Sequence, residues 1–195
     1  MSTSLYLITN SKLSGNETEK DWEKMVSELS QLNLQTTSYV NENNHIIEQY
    51  GDWSYRIDNF EDDPFCVDFE GPFPIQPSLY SNIGIISTIY RYRLLYEFYG
   101  YDMHYEFRKE LFDIVSIIGG TEVIYLADNA CDKLCNYLEC MAEENFPYEI
   151  IKQKMIEELG NPVTDYSKLD YDKLSYWKIN EFFLDDFSDF KTKDI

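Results

Sequence analysis

Apolar residues recur at helical spacing between positions 106 and 118. They stand at intervals of three or four residues, which places them along one side of an α-helix. The members of this stripe are Phe107, Leu111, Ile114, Val115 and Ile118. Gly119 and Gly120 follow, and glycine reaches the left-handed backbone conformation in which many helices end. The pattern predicts a buried helix that stops at this glycine pair.

Two shorter apolar runs predict strands near the centre of the core. Residues 123–127 are continuously apolar, as expected of a strand that is covered on both faces. Residues 4–10 predict a first strand, because Leu5, Leu7 and Ile8 are followed by turn-forming residues.

Alternation of apolar and polar residues between positions 36 and 69 predicts a β-meander. Turn residues divide this region into segments at 36–40, 45–50, 53–57 and 65–69. Alternation of this kind is typical of antiparallel strands with one buried face. We therefore expect Trp53, Tyr55 and Ile57 to face the interior, and Val67 and Phe69 to do the same in the next strand.

The region after the meander gives conflicting signals. Prolines at 72, 74 and 77 predict a rigid extended loop over residues 71–77, because proline donates no backbone hydrogen bond. Residues 78–100 contain isoleucines that favour a strand, but roughly 20 residues without a turn signal favour a buried helix. We predict a helix here, with Arg91 and Arg93 on its polar side, and keep the strand as the alternative.

Capping signals predict three further helices. Thr18 precedes a stripe that ends at Leu29, and Asp128 or Asn129 precedes a stripe that ends at Met141. Residues 147–160 begin with proline and end with glycine, which is the usual asymmetry of a helix, with proline in its first turn. Its apolar positions are Ile150, Ile151, Met155 and Leu159.

These elements together predict one α+β domain, mainly an antiparallel meander with helices packed on it. We expect the domain to span residues 1–165. Residues 166–195 form an acidic, aromatic C-terminal segment in which no single period holds, so we expect it either to dock or to be partly mobile.

Charge limits the classes of partner. The 16 basic and 36 acidic residues give a net charge of -20, which repels nucleic-acid phosphates and anionic lipids. The same field attracts a basic protein, although acidity also keeps an aromatic-rich chain soluble. The first ten residues do not resemble a signal peptide, so we expect a cytoplasmic location with reduced cysteines.

Candidate catalytic and metal-binding groups are weak. Cys131 and Cys135 share a predicted helix face, but zinc sites prefer closer pairs, and we expect these thiols to pack in the core. Cys66 or Cys131 could pair with His45 or His104 as a nucleophile, but a reactive thiol needs an electropositive setting and this chain is strongly anionic. The chain also contains no glycine-rich phosphate loop. We therefore predict no catalytic residue, no metal site and no cofactor.

Two stretches combine acids with aromatic rings and predict a partner-binding surface. Rings surrounded by carboxylates suit recognition of lysine or arginine on a protein partner. The candidate residues are Glu61, Asp62, Asp63 and Phe65 in one stretch, and Asp185, Asp186, Phe187 and Asp189 in the other. The alternative for each is a solvated loop and a mobile terminus.

Over its whole length the chain resembles the acidic immunity proteins that bacteria pair with polymorphic toxins. The segments nearest to a signature are DFEGP at 68–72 and GGTEVIYLAD at 119–128. The resemblance implies a cytoplasmic inhibitor that covers the active site of a basic toxin domain, and it carries over no site residue.

We therefore predict a non-enzymatic acidic protein that neutralises or regulates a basic protein partner. One alternative is a small-molecule enzyme with a cleft near Asp128 that uses Arg91 or Arg93. A second alternative is a structural or scaffold subunit, for which a homo-oligomer would be expected.

Overall fold

The computed structural model describes residues 4–34, 52–58, 66–71, 75–91, 100–127, 146–165 and 182–191. The strands are β1 (Ser4–Thr9), β2 (Ser54–Asp58), β3 (Cys66–Glu70), β4 (Ile75–Leu79), β5 (Gly84–Arg91), β6 (Val123–Ala127) and β7 (Phe183–Asp185). The helices are α1 (Glu19–Leu29), α2 (Gly100–Ile117), α3 (Tyr148–Leu159) and α4 (Ser188–Lys191).

The strands form a single open antiparallel sheet in the order β2-β3-β4-β5-β1-β6-β7. Strands β2 to β5 follow one another as a meander, and β1 lies between β5 and β6 near the middle of the sheet. The predicted α+β class, with a meander and helices packed on it, is confirmed.

One face of the sheet is covered by α1 and α2, which contact each other. Thr18 begins α1, and the Asp21 carboxylate accepts hydrogen bonds from the Thr18 backbone N–H at 2.7 Å and hydroxyl at 2.8 Å. Trp22 on α1 meets the Phe69 ring edge-on. All five residues of the predicted α2 stripe are buried in this layer.

The other face carries α3 over the half of the sheet that contains β5, β1 and β6. Residues from these strands and the helix form a second apolar cluster on this side. Its members are Ile8, Ile83, Ile85, Ile124, Tyr148, Ile151, Met155 and Phe182. Adjacent residues such as Leu7 and Ile8 enter opposite clusters, because successive side chains of a strand alternate between faces.

The end of α2 is a Schellman motif at the predicted glycine pair. Gly119 has φ of 84°, and its N–H bonds the Ser116 carbonyl while the Gly120 N–H bonds the Val115 carbonyl. The chain then turns directly into β6, where Val123, Ile124 and Tyr125 are fully buried. The predicted helix, turn and strand are confirmed here.

The predicted loop at residues 71–77 is wrong at its end, because Pro77 lies within β4. Pro77 pairs with Ile86 of β5. The ladder between β4 and β3 contains Leu79 with Val67 and Ser78 with Asp68, and it does not extend to Pro77. The proline is tolerated because β3 does not pair with it and so does not need the N–H donor that proline lacks.

The predicted helix at residues 78–100 is also wrong over its described part. Leu79 ends β4, and a turn closed by the Tyr80 N–H and the Ile83 carbonyl leads into β5, which runs to Arg91. Ser81 and Asn82 supply that turn, and the isoleucines that follow favour a strand.

Smaller differences concern single positions and chain regions. Ile57 is 41% exposed although β2 forms as predicted, and Ile150 is 42% exposed on α3. Pro147 is the N-cap of α3 instead of its first helical residue. The predicted strands at 36–40 and 45–50, Phe65, and the helix that would contain Cys131 and Cys135 lie outside the described residues.

Gly120→Ala should destabilise the fold by about 1–3 kcal/mol through overpacking. An added Cβ would collide with the hydroxyls of Thr9 and Ser11 and lie 2.7 Å from a Val115 methyl. Urea unfolding monitored by circular dichroism measures the loss. Ser116→Ala, at an exposed position of the same helix end, is the control and should change stability by less than about 0.5 kcal/mol. Equal stability of the two variants would contradict the close packing of this corner.

Candidate functional site

The second predicted binding stretch folds onto the domain as part of residues 182–191, here called the docked tail. Strand β7 pairs with β6, and α4 follows after two residues. Asp185 and Phe187 are buried, whereas Asp186 and Asp189 are exposed. The first predicted stretch, with Glu61, Asp62, Asp63 and Phe65, lies outside the described residues.

A buried ion cluster joins the docked tail to α2. Arg108 donates to Asp185 from Nε at 2.6 Å and from one terminal nitrogen at 2.8 Å. It also donates to Asp189 at 3.0 and 3.1 Å. The side chains of Arg108 and Asp185 are 6% and 3% exposed, and that of Asp189 is 47% exposed. We call these three residues the Arg108 cluster.

Further contacts fix the carboxylate of Asp185. It accepts a hydrogen bond from the Tyr125 hydroxyl at 3.2 Å and from the Phe187 backbone N–H at 3.1 Å. The Arg108 guanidinium carbon lies 5.2 Å from the centroid of the Phe190 ring, within cation–π range. The cluster thus connects α2, β6, β7 and α4.

Electrostatics keep the guanidinium charged. Burial alone would lower the pKa of Arg108, but hydrogen bonds and charge from Asp185, with hydrogen bonds to Asp189, raise it above its ordinary value. A charged group at this depth requires such partners, because an unpaired one would lose its hydration without compensation. These contacts hold the tail on α2, and the buried guanidinium has its hydrogen-bond partners within the chain.

The turn between β7 and α4 is strained at Phe187, which has φ of 55°. A bulky residue rarely adopts this left-handed conformation. It turns the Phe187 ring inward against Phe112, at 5.4 Å between centroids, and Phe190 stacks on the same ring at 5.7 Å. Phe187, which was predicted to meet a partner, therefore belongs to the core, as does Phe190.

Asp186 is the acid of the tail that points outward. Partial burial would raise its pKa, but hydrogen bonds from the Ser188 backbone and side chain, with a smaller contribution from Lys191, together lower the pKa below its ordinary value. It is therefore ionised at neutral pH. Lys191 in turn donates to the backbone carbonyls of Thr121 and Asp186.

A second polar group lies on the sheet face opposite α1 and α2, beyond the area that α3 covers. The Asp68 carboxylate accepts hydrogen bonds from Ser78 and from the thiol of Cys66, and pairs with Arg56 at 3.1 Å. Arg56 also pairs with Glu70 at 3.7 Å. In this group the positive charge of Arg56 balances the negative charge of Asp68 on the surface of the sheet.

A third group lies where α3 crosses β6. Lys152 donates to Glu122 at 2.7 Å, and the ammonium lies 5.9 Å from the Tyr148 ring centroid. Burial and the negative charge of Glu122 raise the pKa of Tyr148, so its hydroxyl stays protonated. The group anchors α3 to the sheet.

Several of the described basic side chains form ion pairs with acids of the same chain, while other acids face solvent. Ion pairs to acids hold Lys24, Arg56, Arg108, Lys109 and Lys152. Among the described residues, no Lys or Arg pairs with the exposed acids of a second set. These are Glu19 and Glu23 on α1, Glu106 on α2, and Glu149 and Glu158 on α3. The uncompensated acids therefore lie on both helix layers.

Of the residues proposed for the alternative site near Asp128, Arg91 lies in the described part of the chain. Arg91 ends β5 opposite Ser4, and Ala127 ends β6 opposite Leu5, so both strands finish at the same end of the sheet. Asp128 and Arg93 lie outside the described residues. Nor do the described residues contain a group of three or more His, Cys, Asp or Glu side chains that could hold a metal ion.

Sequence reasoning missed Arg108 as a structural centre. One signal was present, because Arg108 shares a helix face with Leu111, Phe112 and Val115 at spacings of three, four and seven residues. A basic residue on an apolar face indicates a buried partner. The identity of that partner was not encoded nearby, since Asp185 and Asp189 are 77 and 81 positions away.

Comparison with known proteins adds no family assignment, since no family model, curated protein or solved structure matches the chain. Within the part of the chain that the structure describes, no helix has both the length and the apolar character needed to cross a membrane.

Asp185→Asn should destabilise the protein by about 3–5 kcal/mol, because it leaves the buried Arg108 without its main counter-charge. Arg108→Met should cost a similar amount. The double variant should lose less than the sum, since asparagine still accepts from Phe187 and no deeply buried charge is left unpaired, Asp189 being half exposed. Urea unfolding of all four proteins completes the double-mutant cycle.

Asp186→Asn is the matched control for this cycle. The same chemical change occurs one residue away at an exposed site and keeps the oxygen that accepts from Ser188, so stability should change by less than about 0.5 kcal/mol. Additive losses in Arg108→Met and Asp185→Asn would show that the two side chains do not act as a pair.

Proposed function

We propose that this chain is a non-enzymatic binding protein that neutralises or regulates a basic protein partner in the cytoplasm. The kind of protein that this describes is an immunity or antitoxin-type inhibitor. In that role the chain would cover the functional surface of a cationic domain.

The outward acidity of the fold supports the proposal. The basic residues that form ion pairs do so with acids of the same chain, whereas acids such as Glu19, Glu23 and Glu149 are exposed. With a net charge of -20, a cationic protein would be drawn to this surface over long distances. A field spread over both helix layers accelerates encounter but does not by itself select the contact surface.

The docked tail supplies the contact surface in this proposal. Asp186 is exposed and ionised, and the exposed half of the Asp189 carboxylate lies three residues away. Both acids are held by hydrogen bonds, to Ser188 and Arg108 respectively, so binding a cation there would order few additional side chains. Pre-ordered carboxylates of this kind suit lysine or arginine side chains of a partner.

Association with a cationic protein encoded by a neighbouring gene should be fast and salt-sensitive. The association rate constant should fall about tenfold or more between low and physiological ionic strength, because screening weakens long-range attraction. Stopped-flow or surface plasmon resonance measurements at several salt concentrations give this dependence. An association rate that does not change with salt, or absence of binding to any cationic neighbour, would contradict the proposal.

Two isosteric neutralisations separate steering from contact. Asp186→Asn should raise the dissociation rate about fivefold or more through a lost charged contact, whereas Glu149→Gln on α3 should only slow association slightly. Both variants change the net charge equally, and both positions are exposed. Equal dissociation rates for the two variants would place the contact surface elsewhere.

A further inference from the structure

Within the described residues, the docked tail has few backbone hydrogen bonds to the rest of the fold. Strand β7 is three residues long and pairs with β6 at three positions. On its other side it meets only a single bridge, in which the Val163 N–H bonds the Phe182 carbonyl and the Leu184 N–H bonds the Val163 carbonyl, as far as the described residues extend. Helix α4 is one turn. The attachment of the docked tail therefore depends mainly on side chains.

Docking of the tail buries apolar side chains, and the loss of conformational entropy opposes this gain. Four phenylalanines of the tail are buried, namely Phe182, Phe183, Phe187 and Phe190. Ordering a ten-residue segment costs conformational entropy of the same order as the free energy gained by burying four rings. Docking of the tail is therefore favoured by a small difference between two large terms, which is less than the free energy that holds the whole domain folded.

The Arg108 cluster determines where the tail docks more than how firmly it docks. Breaking one partner by mutation leaves a buried charge, which is costly. Undocking the whole tail is different, because Arg108, Asp185 and Asp189 then return to water together and regain their hydration. A buried ion pair thus contributes little net free energy against undocking.

Backbone strain at Phe187 also favours undocking of the tail. Phe187 holds φ of 55° only while its ring is packed against Phe112 and its N–H is bonded to Asp185. Undocking releases this conformation.

From these observations we propose that residues 182–191 form a latch, which undocks as a unit from α2 and β6 while those elements stay folded. Opening exposes Tyr105, Arg108 and Phe112 on α2, which pack against the tail when it is closed. It also frees the sequence of acids and rings that begins at Asp185.

The latch has a consequence for partner recognition that rests on the proposed function. In the closed state Phe187 and Phe190 are buried, and of the acids and rings from Asp185 to Phe190 it is Asp186 and Asp189 that face outward. In the open state both rings become accessible beside three carboxylates. A basic partner that binds the open tail would shift the population toward it in proportion to its preference for that state.

Native-state hydrogen exchange on the full-length chain, without a partner, tests the latch. The amides of Leu184, Phe187, Phe190 and Lys191 should share one opening equilibrium, at least about 100-fold more populated than the opening of Val115 in α2 and of Ile124 in β6, which pairs with Ile8 of β1. Exchange of the tail at the same rate as these core amides, across a series of low denaturant concentrations, would overturn the proposal.

Phe190→Ala provides a directed perturbation. Removing a buried ring should raise the exchange of the other tail amides by about 100-fold, with less than a threefold change at Val115. Phe190→Leu is a milder second variant and should raise tail exchange by a smaller factor. Ile150→Ala, at an exposed apolar position on α3, is the control and should leave tail exchange unchanged. Equal acceleration of tail and core amides by the Phe190 variants would overturn the latch.

Because these experiments use the chain alone, their failure would leave the proposed binding function standing. Conversely, lack of a cationic partner would not affect the exchange result. The two proposals can therefore fail independently.

Discussion

A guanidinium that is shielded from water must have acceptors on its donor edges, and this requirement organises the C-terminal part of the molecule. Asp185 accepts along one edge of Arg108 and Asp189 along another, with four hydrogen bonds between them. To bring both carboxylates to one cation, the chain must end β7 at Asp185, reverse through a left-handed residue and begin α4. The position of the tail is thus a consequence of one buried charge on α2.

Elements specified by nearby residues were predictable from the sequence. The helix that ends at Gly119, the strand that follows it and the Thr18 cap each depend on contacts within a few positions along the chain. Strand β5 was not predictable in this way, because a two-residue turn at Ser81 and Asn82 is a weak signal beside a long apolar stretch. Pro77 misled for a related reason, since its cost depends on which neighbouring strand would need its donor, and that is a property of the assembled sheet.

The candidate site shows the same division. The sequence identified the acids and rings of the tail as a group. It predicted a partner-binding surface that includes Asp185 and Phe187, whereas both are buried. Strand alternation places Asp185 on the same side as Phe183 and Phe187, and all three are buried. The positive φ at Phe187 then turns the chain into α4, where Phe190 is buried as well. What reaches the surface is Asp186 and part of Asp189, next to a molecule that otherwise satisfies many of its cations internally. In this segment the rings are buried, and two of its three acids face outward.

The bridge at Val163 has a consequence for how the sheet can meet other proteins. A sheet margin normally offers a row of free amide and carbonyl groups to which a foreign strand can hydrogen-bond. At β7 the backbone groups of Phe182 and Leu184 that face this margin already bond to Val163. A protein that extends the sheet here would first have to displace residue 163, so recognition along this side is left to side chains, and stacking of copies edge to edge is blocked.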